Sequence, residues 1–327
     1  MKYRRRDAKK YTREHMKGVW AAIPYPFNND GEIDEAALRR DVRRYVDGLK
    51  VDGLFIGGLL GEVWSLTMED RYRGQQIVLD EVKGATFVLA HTVAMSIRDT
   101  VALTQHAQKL GADFAIMGNP PYSSRRPDVI HTFFEKVCAE TDLGVGLFNT
   151  AIAGYALSPQ QIADLADIEN IVCVKNPQPA VHINETRKLL AGKIVLCDPL
   201  EANLLDNMLF YGDQVHNSSP APYLFQTPGK TPIRDYYRAA VAGREDEARR
   251  IWATLARVRV VEQKWINAPW SLGYLPKAAI KAWSEMLGLS GGSPRLPIKP
   301  LTQAQKDELR RDLVWAGMLE KAAVAAE

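Results

Sequence analysis

The sequence predicts one α/β domain, a (β/α)8 TIM barrel with a C-terminal helical extension. Eight short apolar runs, rich in Val, Ile, Leu and Phe, start 20 to 34 residues apart, which is the length of one strand plus one helix. Each run is almost continuously apolar, as a parallel strand buried on both faces requires. An open doubly wound sheet is the alternative, but neither G-x-G-x-x-G nor the phosphate-loop motif follows any run.

Helical segments lie between these runs. Residues 38–49 place Leu, Val and Tyr on one face at the helical spacing, with arginines on the other face. Helix starts are marked by Thr67–Asp70 and Ser96–Asp99, which have the pattern of capping boxes, and by Ser158–Gln161, which has Pro at the first helical position. The eight predicted strands, in chain order, are Gly18–Pro24, Asp52–Gly58, Thr86–Thr92, Asp113–Gly118, Leu143–Asn149, Ile171–Lys175, Lys193–Asp198 and Asp213–Asn217.

The barrel is expected to span residues 18–240 and to form a single domain with what flanks it. Residues 1–17 carry eight Lys and Arg and are expected to be a basic, solvated extension. Residues 241–327 are expected to be helices packed on the barrel, because no strand pattern occurs in the helical segments 235–265, 275–287 and 302–321.

Composition excludes several classes of protein. Hydrophobic residues make up 46% and charged residues 25% of the 327, which is typical of a globular chain and not of a disordered one. The 42 basic and 39 acidic residues nearly balance, so we expect neither a nucleic-acid nor a membrane partner. Three cysteines without a C-x-x-C motif argue against a disulfide framework or a zinc site, and they indicate a cytoplasmic location.

The active site of such a barrel lies at the carboxyl ends of its strands. Strand six ends in Lys175, and a lysine that closes a buried apolar strand is costly unless its ammonium points into a cavity. Burial lowers a lysine pKa, so that its neutral amine can attack a carbonyl group. The alternative is a lysine at the barrel mouth that pairs with a carboxylate such as Asp198.

Strand two ends in a glycine-rich turn, Gly57–Glu62, whose backbone N–H groups can hold a carboxylate or a phosphate. A tight turn explains the glycines equally well. His91 and His216 end strands three and eight without a second ligand at metal-binding spacing, so we expect pocket residues and no metal site.

These segments resemble the dihydrodipicolinate synthase/N-acetylneuraminate lyase family. Gly58-Leu-Leu-Gly-Glu62 with Ser65-Leu-Thr67 is similar to its glycine-rich turn, and Val174-Lys175 falls where the family has its lysine strand. Leu147-Phe148-Asn149 is similar to its Leu-Tyr-Asn, and the opening Gly18–Phe27 is similar to its start. The likeness covers about residues 17–320.

The resemblance implies a class I aldolase that binds a 2-oxo acid, usually pyruvate or a derivative. Lys175 would form the Schiff base, and the turn at Gly58, Leu59 and Leu60 would hold the substrate carboxylate. The iminium acts as an electron sink, so no metal and no cofactor is needed. The family also implies a homo-oligomer, a dimer or a tetramer built from dimers.

Departures from the family pattern change the expected substrate. Phe148 stands where the family has its proton-shuttling tyrosine, and Leu59 and Leu60 replace hydroxyl residues. With Trp64, these side chains would line an apolar mouth that suits an aromatic or alkyl substituent, as in the hydratase-aldolases that cleave benzylidenepyruvates. Catalytic Tyr122 and Tyr155 are the first candidates for the missing hydroxyl, and further substrate-binding residues are expected at Asn149, Asp198, Asn217 and Ser218, with Ser219 beside the last.

Two other functions remain open from the sequence. The chain could be a carboxylate-binding barrel of the same family that has lost efficient catalysis, because general acid–base groups contribute about 10²- to 10⁴-fold. It could also use the Schiff base for dehydration or decarboxylation. The sequence does not identify the substrate.

Overall fold

The computed structural model of the chain describes residues 2–120 and 125–320, without the side chains of residues 153 and 218. Eight parallel strands form one nearly closed barrel in the order β7-β6-β5-β4-β3-β2-β1-β8, with helices outside it. The predicted fold class is therefore confirmed. The strands are β1 Gly18–Ala22, β2 Gly53–Ile56, β3 Phe87–His91, β4 Phe114–Gly118, β5 Gly144–Phe148, β6 Ile171–Lys175, β7 Val195–Cys197 and β8 Val215–Ser219.

The strands fit the buried, parallel environment that their composition predicts. Nearly every strand residue is buried, and neighbouring strands pair in parallel from β8 through β1 to β7, with register shifts at the β1–β8 and β5–β6 pairs. At the β1–β2 pair, the indole of Trp20 packs over Gly53, and a Cβ on Gly53 would stand 2.2 Å from that ring. Gly53 is thus required by the close approach of a large side chain.

The helices follow the strands and cover the barrel. Thr67 and Ser158 cap their helices with complete capping boxes, whereas Ser96 accepts the Asp99 N–H as a simple N-cap. No described helix is long and apolar enough to cross a bilayer. The helices are α1 Ala8–His15, α2 Glu35–Arg43, α3 Met68–Val82, α4 Ile97–Lys109, α5 Pro127–Ala139, α6 Pro159–Leu165, α7 Ala180–Leu190, α8 Glu201–Tyr211, α9 Ala221–Leu224, α10 Pro232–Val241, α11 Glu245–Ala253, α12 Ala256–Glu262, α13 Ala268–Ser271, α14 Lys277–Met286 and α15 Gln303–Trp315.

The basic N-terminal segment packs against the barrel, where a solvated extension was expected. Helix α1 contacts β5 and β6, and its Ala8 and Thr12 side chains are fully buried. Lys2 donates to the Asp113 carboxylate at 2.7 Å, and the Tyr3 hydroxyl donates to the Asp113 carbonyl. The segment therefore covers the amino ends of the strands, because its small and apolar side chains are buried and its basic side chains reach acceptors on the barrel.

The C-terminal helices lie at the opposite end and are tied to the glycine-rich turn after β2. The carboxylate of Glu62 pairs with the ammonium of Lys281 on α14 at 2.8 Å, and both side chains are buried. The second carboxylate oxygen of Glu62 accepts the backbone N–H of Arg295, and the Arg295 guanidinium pairs with Asp70. These ion pairs fix the C-terminal layer over the carboxyl ends of the strands.

Candidate active site

A cavity of about 590 Å³ lies at the carboxyl ends of the strands. Its floor and walls come from the ends of β1, β2, β5, β6 and β8, and from the loops that follow them. The C-terminal helices supply the remaining wall. The residues that line it are Ala22, Ile23, Phe55, Gly58, Leu59, Leu60, Gly61, Phe148, Thr150, Ala151, Ile152, Lys175, Pro177, Gln178, Pro199, Leu200, Ser219, Pro220, Glu262, Gln263, Ile266, Asn267, Trp270 and Ser271.

Lys175 lies at the end of β6 and lines this cavity, as its position in the sequence predicts. The residue is 7% exposed, and its Nζ atom lies 4.7 Å from the centre of the Phe148 ring and 5.1 Å from that of Phe55. Burial lowers the pKa of Lys175 from its ordinary 10.5 to about 7. A large fraction of the amine is therefore neutral, and nucleophilic, near neutral pH.

The turn after β2 presents backbone donors to the same cavity. The N–H groups of Leu59 and Leu60 donate to no acceptor among the described residues. Glu62 ends the turn in the left-handed region at φ 63°, and the Val63 N–H donates back to the Gly58 carbonyl. The turn is therefore closed by its own hydrogen bonds and leaves two adjacent N–H groups able to bind a carboxylate.

A second buried lysine, Lys277, stands near the cavity wall. It is 1% exposed, and its Nζ has no hydrogen-bond partner among the described residues. The ammonium lies 5.0 Å from the ring centre of Trp270, which lines the cavity, and 5.5 Å from that of Trp64. Burial lowers the pKa of Lys277 well below its ordinary value. Trp64 itself does not line the cavity and is 38% exposed.

Two of the predicted binding residues hold loops together. The Asn149 amide accepts the Leu157 N–H at 2.6 Å and donates to Asn176 at 2.9 Å. The Asp198 carboxylate accepts from the Leu200 N–H and from the Asn203 and Asn207 amides, which fixes the start of α8. Neither residue lines the cavity, so both shape the strand ends from behind it.

Residues at the end of β8 are divided between core and cavity. Asn217 is fully buried and does not line the cavity, and the Ser218 side chain lies outside what the structure describes. Ser219 lines the cavity; its hydroxyl accepts the Ala221 N–H and lies 3.1 Å from the His216 Nε2. Burial lowers the pKa of His216 to about 3, so that imidazole is neutral.

The structure describes only one of the two tyrosines expected to supply a hydroxyl. Tyr122 lies outside the described residues. Tyr155 is half-buried and does not line the cavity; its ring lies 5.5 Å from the Arg125 guanidinium, and its carbonyl accepts from the Asn119 amide. Both assignments remain predictions.

Part of the cavity comes from residues that the sequence gave no reason to choose. Glu262, Ile266 and Trp270 recur at four-residue spacing on the C-terminal helices, and Asn267 and Ser271 lie beside them. That spacing is a visible signal, but it does not tell which structure the face covers. Burial, and then the nearby Glu201, raise the pKa of Glu262 to about 7.

No group of three His, Cys, Asp or Glu side chains that could hold a metal ion occurs in residues 2–120 and 125–320.

The sequence profile of the dihydrodipicolinate synthetase family matches residues 15–316.

Curated relatives point to the same family. The chain is 30% identical over 294 residues to 4-hydroxy-tetrahydrodipicolinate synthase of Desulforudis audaxviator, covering 89% of this chain and 95% of that one. It is 29% identical over 182 residues to N-acetylneuraminate lyase of Fusobacterium nucleatum, covering 55% of this chain and 63% of the lyase.

Solved structures share the fold. A prophage protein of the dihydrodipicolinic acid synthase family from E. coli K12, in complex with pyruvate, superposes with a TM-score of 0.80 at 24% identity, covering 93% of this chain and 99% of that one. Dihydrodipicolinate synthase from Aquifex aeolicus gives a TM-score of 0.80 at 24% identity, over 93% and 100% of the two chains.

Proposed function

The chain belongs to the dihydrodipicolinate synthetase family of Schiff-base-forming, metal-independent class I aldolases, and we propose that its substrate is a 2-oxo acid with an apolar or aromatic substituent. The reaction is carbon–carbon cleavage of the hydratase-aldolase type. One observation carries the proposal: the amine of Lys175, with its pKa near 7, lies in a cavity whose walls around it are aromatic and aliphatic.

The chemistry begins at the Lys175 amine. Its lone pair attacks the C2 carbonyl carbon, a C–N bond forms, and the carbonyl oxygen leaves as water to give an iminium. The Leu59 and Leu60 N–H groups hold the C1 carboxylate beside it. In a benzylidenepyruvate, water first adds across the C3=C4 bond: its oxygen bonds to C4 and a proton is placed on C3. The iminium then withdraws electrons from the C3–C4 bond, which breaks to give an enamine and an aldehyde once the C4 hydroxyl loses its proton. Protonation of the enamine at C3 and hydrolysis then release pyruvate and the free amine.

The walls nearest the amine support an apolar substituent. Phe55, Phe148 and Ile23 surround the strand ends, and the side chains of Leu59 and Leu60 extend the apolar surface along the turn. A sugar-like substituent would lose water at these walls without gaining hydrogen bonds, which is costly for each hydroxyl. An aromatic ring would gain from burial of its surface instead.

The proton that moves during cleavage needs a carrier, and Phe148 has no hydroxyl. We place Tyr122 first for this role, and Ser219 offers a described hydroxyl that lines the cavity. General acid–base groups act within hydrogen-bonding distance of the reacting atom or through one water.

Turnover of a substrate series tests the proposal. Purified protein would be incubated with benzylidenepyruvate, an alkylidenepyruvate of similar size and N-acetylneuraminate, and both pyruvate and aldehyde would be quantified. We expect kcat/KM for benzylidenepyruvate to exceed that for N-acetylneuraminate by at least about 100-fold, since several hydroxyls are left unpaired. Preference for the sugar acid would contradict the proposed substrate class. Detection of carbon dioxide or a dehydrated acid in place of aldehyde would point to decarboxylation or dehydration.

A further inference from the structure

Glu262 is the second ionisable group of the cavity. Among the described residues that line it, only Lys175 and Glu262 change charge near neutral pH. They come from different layers: Lys175 ends a barrel strand, whereas Glu262 ends α12 in the C-terminal layer. A carboxyl group in a mostly apolar wall is costly unless it has hydrogen-bond donors.

The protein supplies Glu262 with few donors. Asn267 also lines the cavity, and its side-chain amide acts to lower the Glu262 pKa against the larger effect of burial. The neighbouring Arg259 is occupied by Glu201: its Nε donates to one Glu201 oxygen at 2.8 Å and its Nη2 to the other at 3.0 Å. Because the nearby cation is already paired, Glu262 has no charged partner of its own among the described residues.

The backbone at this place is also unusual. The five residues Gln263–Asn267 form a π-helical turn directly after Glu262. Such turns occur frequently at functional sites, because the extra residue displaces one side chain relative to the regular helix. Here it leads to Asn267, whose amide carries two donors and one acceptor. A carboxylate has about four acceptor positions, so the pair can still take a donor from a ligand.

We propose that Glu262 and Asn267 together bind a hydroxyl group on the substituent of the 2-oxo acid. This subsite rests on the proposed function, since it assumes that the substrate fills the same cavity. A hydroxyl donates one hydrogen bond to the carboxylate and accepts one from the amide. An ammonium would match the carboxylate but would lose its hydration in a mostly apolar cavity, where Lys175 becomes a cationic iminium during the reaction. The substrate class is therefore a 2-oxo acid with an apolar body and a distal hydroxyl.

Binding of unreactive acids tests this subsite without any chemistry at Lys175. Cinnamate and its 2-, 3- and 4-hydroxy isomers have a carboxylate and a ring but no carbonyl that an amine can attack. Calorimetric titration of the full chain with each acid gives four dissociation constants. We expect one isomer to bind at least about tenfold more tightly than cinnamate, the effect of one hydrogen bond to a charged group.

Two variants assign the preference to Glu262. Glu262→Met keeps the length of the side chain, so it should remove the preference while the dissociation constant of cinnamate changes less than about twofold. Glu262→Gln keeps an acceptor and should retain part of the preference. Glu185→Met, at an exposed position of α7 outside the cavity lining, is the matched control and should retain all of it.

Three results would overturn the subsite: no isomer preferred over cinnamate, no binding of any of the four acids, or an unchanged preference in Glu262→Met. Failure of the proposed function is seen separately, because borohydride trapping of pyruvate on Lys175 does not require Glu262. A trapped adduct together with an unchanged preference in Glu262→Met would reject the subsite alone.

Discussion

The two ends of the barrel differ in whether their buried ionisable groups are paired or face a cavity. At the amino end, the Asp113 carboxylate accepts from Lys2 at 2.7 Å and from the Val88 N–H at 2.9 Å, under an aromatic stack of Tyr3 and Tyr11. At the carboxyl end, Lys175 and Glu262 face a cavity, and burial moves the pKa of each toward 7. The Asp113 contacts at the amino end stabilise the fold, whereas Lys175 and Glu262 at the carboxyl end can change protonation state near neutral pH.

Replacing Lys175 with Met should have the largest effect on activity. No other described residue that lines the cavity offers an amine that could form the iminium, so we expect kcat/KM for 2-oxo acid cleavage to fall by at least about 10³-fold. Lys188→Met, on the exposed face of α7, is the control and should keep full activity. Cleavage above one tenth of the wild-type rate in the Lys175 variant would show that another group forms the covalent intermediate.

Lys175→Met also tests whether the buried lysine lowers the stability of the carboxyl end. Because the folded state holds the Lys175 pKa below its unfolded value, burial of the protonated lysine opposes folding at pH 7 and below. Lys175→Met should therefore raise the free energy of unfolding by about 1–3 kcal/mol, measured by urea denaturation. A decrease would mean that Lys175 stabilises the carboxyl end.

Tyr122→Phe should lower turnover by at least about tenfold, the lower edge of the cost of a lost acid–base group. The substitution removes only the hydroxyl oxygen. Steady-state kinetics would be compared with Tyr274→Phe, a control at a residue that is 65% exposed. An unchanged turnover excludes Tyr122 and directs the search to Tyr155 and Ser219.

A polar residue at Phe148 should shift the pH dependence of Schiff-base formation. The neutral amine is the nucleophile, so the rate in the wild type should rise with pH to a plateau, with an inflection near 7. Phe148→Ser admits water beside the Lys175 ammonium and should move this inflection upward by about one pH unit. The inflection is measured by trapping the pyruvate adduct with borohydride after short reaction times at a series of pH values. Phe210→Ser, at a residue that is 69% exposed, should leave the inflection where it is.

The smallest effect on activity is expected at the amino end. Asp113→Ala removes the acceptor of Lys2 and of the Val88 N–H and should lower the free energy of unfolding by about 1–3 kcal/mol. The kcat should stay within about twofold of the wild type, because the substitution lies at the far end of the barrel. A large loss of activity with unchanged stability would show that the two ends are coupled.

The strands and Lys175 were predictable because their signals are local. An apolar run that ends near glycine or proline identifies a parallel strand, and the last residue of such a strand faces the carboxyl end whatever the packing elsewhere. The predicted seventh strand, Lys193–Asp198, has six residues, of which only Val195–Cys197 form β7, while β6 was found at its predicted bounds.

The rest of the site depends on tertiary contacts. Asn149 and Asp198 follow strands as a binding residue would, but their side chains are taken by the N–H groups and amides of the next loop. Glu262 and Trp270 reach the cavity because contacts such as the Glu62–Lys281 pair hold the C-terminal helices over the barrel, about 200 residues along the chain from the turn that they cover. No local pattern identifies such a partner.

Trapping of pyruvate with borohydride tests the central claim most directly. The reduced adduct joins one pyruvate to one lysine with loss of the carbonyl oxygen, and tandem mass spectrometry of the digested chain locates it. We expect one adduct per chain, on Lys175, and none in Lys175→Met. An adduct on Lys277 or Lys281, the other buried lysines of the described residues, or no adduct with pyruvate and aromatic 2-oxo acids, would contradict it.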